Sequence, residues 1–295
     1  MTSNPENYRI LARNACFLAA LSTLLGISAT SCSRKRSAQT PSEPPSQAQG
    51  RTTEAAGSST PIVRLEPPTM DEPKADAPKG ELLRLRLRQG FEETRVFEGQ
   101  AQIRIAGGEP VTQQIRMRVT ARVQEVDGDV YAIRLDPSPI TVQQEGQEGQ
   151  SGLLTEEPAV IDVDARGRVL TPTDALVSAI QTIGYVPLPE KRVAPGATWS
   201  LSGERSWPLL GKVSVTEKFT YRGAEQMHGR RVHRIDQLVT GSIDSINTEA
   251  TYYLDAQTGS LHRAEVRIGG KMEMPGPDGT VTPADVSIRL AIRRE

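Results

Sequence analysis

A chain of 295 residues with 35 Lys and Arg against 36 Asp and Glu has a formal net charge of −1 at pH 7, which excludes the strongly basic face that a nucleic-acid binder needs. Its two cysteines, Cys16 and Cys32, are too few for a disulfide framework or a thiolate metal cluster. Stability therefore has to come from an ordinary apolar core.

At the N-terminus, Arg9 and Arg13 form a positive start, residues 15–29 are apolar and uncharged, and the small residues Ala29 and Ser31 precede Cys32. The apolar stretch is shorter than the roughly 20 residues of a membrane-spanning helix and has the pattern of a secretory signal. The run Ile27-Ser28-Ala29-Thr30-Ser31-Cys32 resembles the processing site of bacterial lipoproteins. That resemblance implies a signal peptide over residues 1–31, acylation of Cys32, and a protein held in the cell envelope with the membrane as its partner through the N-terminal lipid. Ser33 after the cysteine implies the outer membrane if the source is diderm. The same residues also allow ordinary cleavage that leaves a free thiol, or an uncleaved N-terminal anchor.

Residues 32–80 read as the acylated cysteine followed by a disordered tether. Ser, Pro, Ala, Gln, Thr and Glu dominate, the large apolar residues are Ile62, Val63, Leu65 and Met70, and no periodicity is present. As a coil the segment reaches about 40 Å. Arg34-Lys35-Arg36 either rests on lipid head groups or merely solvates the tether.

From residue 81 the chain is long enough for a substantial core, and its signal is period 2. Leu83, Leu85 and Leu87 alternate with Arg84, Arg86 and Arg88, and Ile115, Met117, Val119, Ala121 and Val123 alternate with polar residues. Both runs are expected to be half-buried antiparallel strands whose arginines form a solvated outer face. Asp127-Gly128 and His228-Gly229 are expected hairpin turns, and 164–168 and 255–260 are expected loops with Gly167 and Gly259 in the left-handed conformation. Thr171-Pro172-Thr173-Asp174 has the features of a helix start, with Leu176, Ile180 and Ile183 on one face and Gly184 at the end. The fold class is thus mainly β: a curved antiparallel sheet forming a half-barrel, open barrel or sandwich, with one amphipathic helix over 172–184 packed on its concave side or open end. Because 119–136 and 215–236 share a strand, a Gly turn and an Asp-terminated strand, the domain 81–295 reads either as two similar halves, 81–170 and 185–295, or as hairpins that resemble one another by composition alone.

After the helix, Val186-Pro187-Leu188-Pro189-Glu190-Lys191-Arg192-Val193-Ala194-Pro195-Gly196-Ala197-Thr198-Trp199 reads as a rigid crossover. This run resembles a segment in an uncharacterised family of bacterial lipoproteins, a resemblance that extends over about residues 81–295. The family has no established chemistry, so it implies no catalytic residues.

Catalytic patterns are weak. His228, His233 and His262 lack further ligands at metal-binding spacing, Asp162 and Asp164 lack the rest of a calcium loop, Ser242 and Ser245 lack a nucleophile elbow, and Glu156-Glu157 are loop carboxylates. No enzyme, metal or cofactor is expected. The architecture resembles periplasmic carriers of lipids and lipoproteins, which implies an apolar molecule in the concave face, lined by Leu176, Ile180, Ile183, Trp199 and Trp207. Filling of a closed core by those same residues is the competing reading. The domain would then be a structural or protein-interaction module that binds an envelope protein without a small ligand.

Overall fold

The computed structural model describes residues 69–73, 79–144, 151–154, 158–170, 184–207, 211–241, 246–275 and 281–295. The expected signal segment, Cys32 and the expected helix lie outside this set, apart from Gly184 at the end of the helix.

The strands are β1 (Thr69–Asp71), β2 (Glu92–Ile105), β3 (Val111–Asp127), β4 (Val130–Pro137), β5 (Ile140–Gln144), β6 (Ser151–Leu154) and β7 (Ala159–Asp164) in the first part of the chain. They continue with β8 (Thr198–Trp207), β9 (Gly211–Met227), β10 (Arg230–Gly241), β11 (Ile246–Asp255), β12 (Leu261–Pro275) and β13 (Val281–Arg294). All join one antiparallel sheet in the order β1-β8-β9-β10-β11-β12-β13-β2-β3-β4-β7, with β5 pairing β3 and β6. No ladder joins β1 to β7 among the described residues, so the sheet is open. Of the three expected forms, the sandwich gives way to one continuous sheet.

Local sequence accounts for most ladders. In β3, Ile115, Val119, Ala121 and Val123 are buried while Arg116, Arg118 and Arg122 are exposed, as period 2 demands. His228 and Gly229 take φ of 47° and 76° and link β9 to β10 by a two-residue turn of the mirror-image type that matches strand twist. The β3–β4 turn is Gly128-Asp129, one residue later than expected, with Gly128 at φ 56°. Register shifts at Gln124, Arg222 and His262 each insert one extra residue and bend the sheet.

Two expectations are corrected. Residues 82–88 are not a strand of the sheet. They form an extended segment across the inner face, held by the Glu81–Val193 bridge and by bonds from Leu85 N to Ala165 O (2.8 Å) and Arg86 N to Thr258 O (2.8 Å). Leu83 and Leu85 are still buried, because alternation records one apolar and one wet side, whatever partner the backbone finds. Residues 69–71, assigned to the tether, instead pair with β8 as β1, with Met70 packed against the core.

The same hydrogen bonds occur twice in this fold. Gly90 N donates to Val123 O and Val123 N to Phe91 O, while Gly196 N donates to Tyr221 O and Tyr221 N to Ala197 O, all at 2.7–2.9 Å. Ala165 N meets Asp129 O as Ala256 N meets Arg231 O. Arg86 N meets Thr258 O as Leu188 N meets Arg166 O, so each of the two crossing segments, 81–88 and 184–194, is clasped by one of the two loops 255–260 and 164–168.

Those loops rest on their carboxylates. Asp164 Oδ1 accepts from the N–H of Arg166 and Arg168, both at 2.9 Å, and Asp255 Oδ1 accepts from the N–H of Gln257 (2.9 Å) and Thr258 (3.0 Å). Burial raises the Asp255 pKa, but these donors, the Thr258 hydroxyl and Arg230 outweigh it and hold the group below its usual value. A carboxylate with a depressed folded pKa contributes stability that is full above its unfolded pKa of about 3.9 and is lost as pH falls through the folded value. Asp255→Asn is therefore expected to cost about 1 kcal/mol at pH 7, with the difference from wild type closing below pH ~4. Urea unfolding at pH 7 and pH 3 measures both.

Candidate functional site

The inner face of the sheet has two regions. At one end the crossing segments fill it: Leu83, Leu85, Val186, Leu188 and Val193 are buried in the main apolar cluster with Phe219, Tyr221, Ile235 and Tyr252. Tyr131 donates its hydroxyl to Leu85 O at 3.0 Å. Trp199 stacks on Phe219 with ring centroids 5.6 Å apart, and its Nε1 donates to Pro187 O at 2.8 Å. One ring face and its polar handle are thus engaged in packing. Among the other expected cavity residues, Leu176, Ile180 and Ile183 lie outside the described residues, and Trp207 ends β8 with only its backbone described.

At the other end the inward positions continue past that cluster. Ala101 and Ile103 on β2, Ile115 on β3, Ile140 and Val142 on β5, and Val286 and Ile288 on β13 are all buried but stand outside the main cluster. Register brings them together: Ala101 is opposite Ile288, Ile103 opposite Val286, and Ile115 opposite Val142. Gln113 lies in this apolar surface, opposite both Ala101 and Gln144, and is 4% exposed. Among the described residues its Oε1 is buried without a hydrogen-bond partner. An unmet buried acceptor costs about 1–3 kcal/mol, and Glu93 Oε2 is likewise buried without a hydrogen bond among the described residues. The sequence carries the signal, since Gln113 falls in phase with Ile115 and Met117, but its polarity hides it from a pattern that starts at Ile115.

Three other polar groups sit inside. Arg95 donates Nε to Glu93 Oε1 at 2.8 Å and Nη1 to Gly184 O at 3.0 Å, and its guanidinium lies 4.8 Å from the Tyr185 ring centroid. Burial lowers the Arg95 pKa, but the Glu93 carboxylate and Tyr185 outweigh it and hold it above its usual value. Gln237 bridges Glu217 (2.9 Å) and the Tyr252 hydroxyl (2.7 Å), and burial pushes the Tyr252 pKa up. Tyr221 meets His233 Nδ1 at 2.9 Å; burial raises the Tyr221 pKa to about 12 and lowers that of His233. The other two histidines, His228 in its turn and His262 on β12, have ring centroids 6.3 Å apart.

The outer face carries the arginines. Arg116 pairs with Glu98, Arg118 with Glu295 and Arg122 with Glu92, all partly exposed. Pairs of this kind contribute about 0–1 kcal/mol each, so they solvate the sheet more than they hold it. Asp164 caps its turn as the hairpin reading requires, whereas Glu156, Glu157, Ser242 and Ser245 lie outside the described residues.

No family model matches the chain, and no curated protein matches its sequence. Among solved structures, lipovitellin, described for its lipid–protein interactions, overlays with a TM-score of 0.37 and 9% identity over 71% of this chain and 25% of its own. This chain thus spans about a quarter of lipovitellin. The hypothetical lipoprotein YmcC of Escherichia coli overlays with a TM-score of 0.26 and 11% identity, over 69% of this chain and 89% of YmcC. A Bacteroides fragilis protein described as exported, with a YmcC-like fold, gives a TM-score of 0.32 and 10% identity over 72% of this chain and 99% of its own. Overlays of this size carry no argument, and the function of this chain is read from its own residues.

Proposed function

We propose that this protein is a non-enzymatic envelope lipoprotein, tethered through an acylated Cys32, whose β domain binds an apolar molecule carrying a hydrogen-bond donor. The signal-like run ending at Cys32 supports the tether. The observation that carries the ligand is Gln113 Oε1, a buried acceptor without a hydrogen-bond partner among the described residues, in the apolar surface of Ala101, Ile103, Ile115, Val142 and Ile288. A hydroxyl or amide on an otherwise apolar ligand satisfies that oxygen, and the surrounding side chains bury the rest.

Native mass spectrometry of the protein extracted from its own membranes tests both parts at once, through the mass added at Cys32 and through any molecule that stays bound. Gln113→Leu is expected to stabilise the ligand-free protein by about 1 kcal/mol, because an unmet acceptor is removed. It is also expected to weaken retention of the ligand about tenfold, the worth of one hydrogen bond. Undiminished retention in this variant refutes the role of Gln113. The filled end of the inner face, with Trp199 stacked on Phe219 and bonded to Pro187 O, favours the second reading, a structural or interaction module for an envelope protein, and repeated recovery of an empty domain decides for it.

A further inference from the structure

Arg267 on β12 and Arg289 on β13 stand directly opposite each other on the outer face. Both are exposed, and neither makes an ion pair or hydrogen bond among the described residues. Their neighbours behave differently: Arg263 pairs with Glu265, Arg293 with Glu98, and Arg222 and Arg234 share Asp236. Like charges placed directly across a ladder repel, so two guanidinium groups at one register position, flanked by the single carboxylate of Glu249 across β11, form a local excess of positive charge. The next outward pair is Gly269 opposite Ser287, and the missing side chain leaves a groove of about 400 Å³ beside both arginines, which Asn247, Ser287 and Glu249 also line.

We propose that this groove binds a phosphate-bearing anion. The two guanidinium forks match phosphate oxygens, Ser287 and Asn247 supply neutral hydrogen-bonding groups, and the bare Gly269 backbone lets the ligand approach closely. Glu249, opposite Arg267 on β11, closes one side. It turns the negative group toward β12 and β13 and favours an ester with a cationic arm, such as phosphoethanolamine. The site lies on the face opposite Gln113, so it stands or falls independently of the apolar-ligand reading.

The test uses the full chain with Cys32→Ser, which carries no acyl group, and follows the backbone amides of Gly269 and Gly270 by NMR during titration with inorganic phosphate and with phosphoethanolamine. Saturable shifts are expected, with phosphoethanolamine binding more tightly. Arg267→Gln and Arg289→Gln are each expected to weaken binding about tenfold, whereas Arg263→Gln, whose arginine is already paired, leaves it unchanged. Neither of the two site variants should lower the thermal midpoint, since each relieves a repulsion, and this separates a binding role from a structural one. Co-flotation with phosphatidylethanolamine vesicles that is lost in the double variant identifies a lipid head group as the source; saturable shifts without flotation identify a soluble phosphate ester. Absence of saturation with both probes, or shifts that survive the double substitution, overturns the proposal.

Discussion

Gly259→Ala is expected to destabilise the domain by about 3–5 kcal/mol, the sum of left-handed strain on a residue with a Cβ and the displacement of packed backbone. Gly259 has φ 70°, and a Cβ there would stand 2.1 Å from Arg84 O and 2.8 Å from Arg84 C. That carbonyl has little freedom to retreat, because Arg86 N is bonded to Thr258 O and the Arg84 guanidinium reaches Pro189 O at 2.6 Å. Gly167→Ala should behave alike, with its Cβ 2.3 Å from Val186 O at φ 70°. Gly128→Ala is the control: φ is 56° but nothing lies within 4 Å, so strain alone predicts about 1 kcal/mol. Urea unfolding of the three variants decides the matter. If Gly259→Ala proves no worse than Gly128→Ala, the clasping of the crossing segments by the loops 255–260 and 164–168 contributes little to stability.

Arg95→Ala is expected to cost about 3–5 kcal/mol, because it leaves the Glu93 carboxylate, 5% exposed, with only the longer 3.8 Å contact to Arg294 Nε. The repeated hydrogen bonds make a sharper statement possible. If Gly90 corresponds to Gly196, then Glu93 and Arg95 occupy the places of Trp199 and Leu201, which are apolar and buried. The architecture therefore accommodates apolar residues at these positions, and the double variant Glu93→Leu/Arg95→Leu should lie within about 1–2 kcal/mol of wild type. A double-mutant cycle read by urea midpoints should give a coupling of about 2–3 kcal/mol. A double variant as unstable as Arg95→Ala would show that the guanidinium is needed for its bond to Gly184 O and its contact with Tyr185, and not only to neutralise Glu93.

The resting places of the charged and polar residues show where sequence reading succeeds. Arg116, Arg118 and Arg122 point outward with their acidic partners, as alternation with Ile115, Val119, Ala121 and Val123 requires. Glu93, Arg95, Gln113, Glu217 and Gln237 are buried instead. The phase of each strand already places these residues on the inner side. Polarity argued against that placement, and only the partners they find across the sheet, or fail to find, reveal what they do there.

Period-2 patterning and turn chemistry act over a few residues, so the sequence by itself determined the mainly β class, the inward and outward sides of β3, the hairpin at His228-Gly229, and the left-handed glycines 167 and 259. Pairing partners are chosen across tens to hundreds of residues by which surfaces can be buried together. Only the tertiary structure could therefore decide that 82–88 crosses the inner face instead of joining a ladder, that Thr69–Asp71 returns to edge β8, and that β13 closes onto β2. The juxtaposition of Gln113 with Ala101, and of Arg267 with Arg289, has the same origin: strand register is a property of the assembled sheet, and no single strand encodes it.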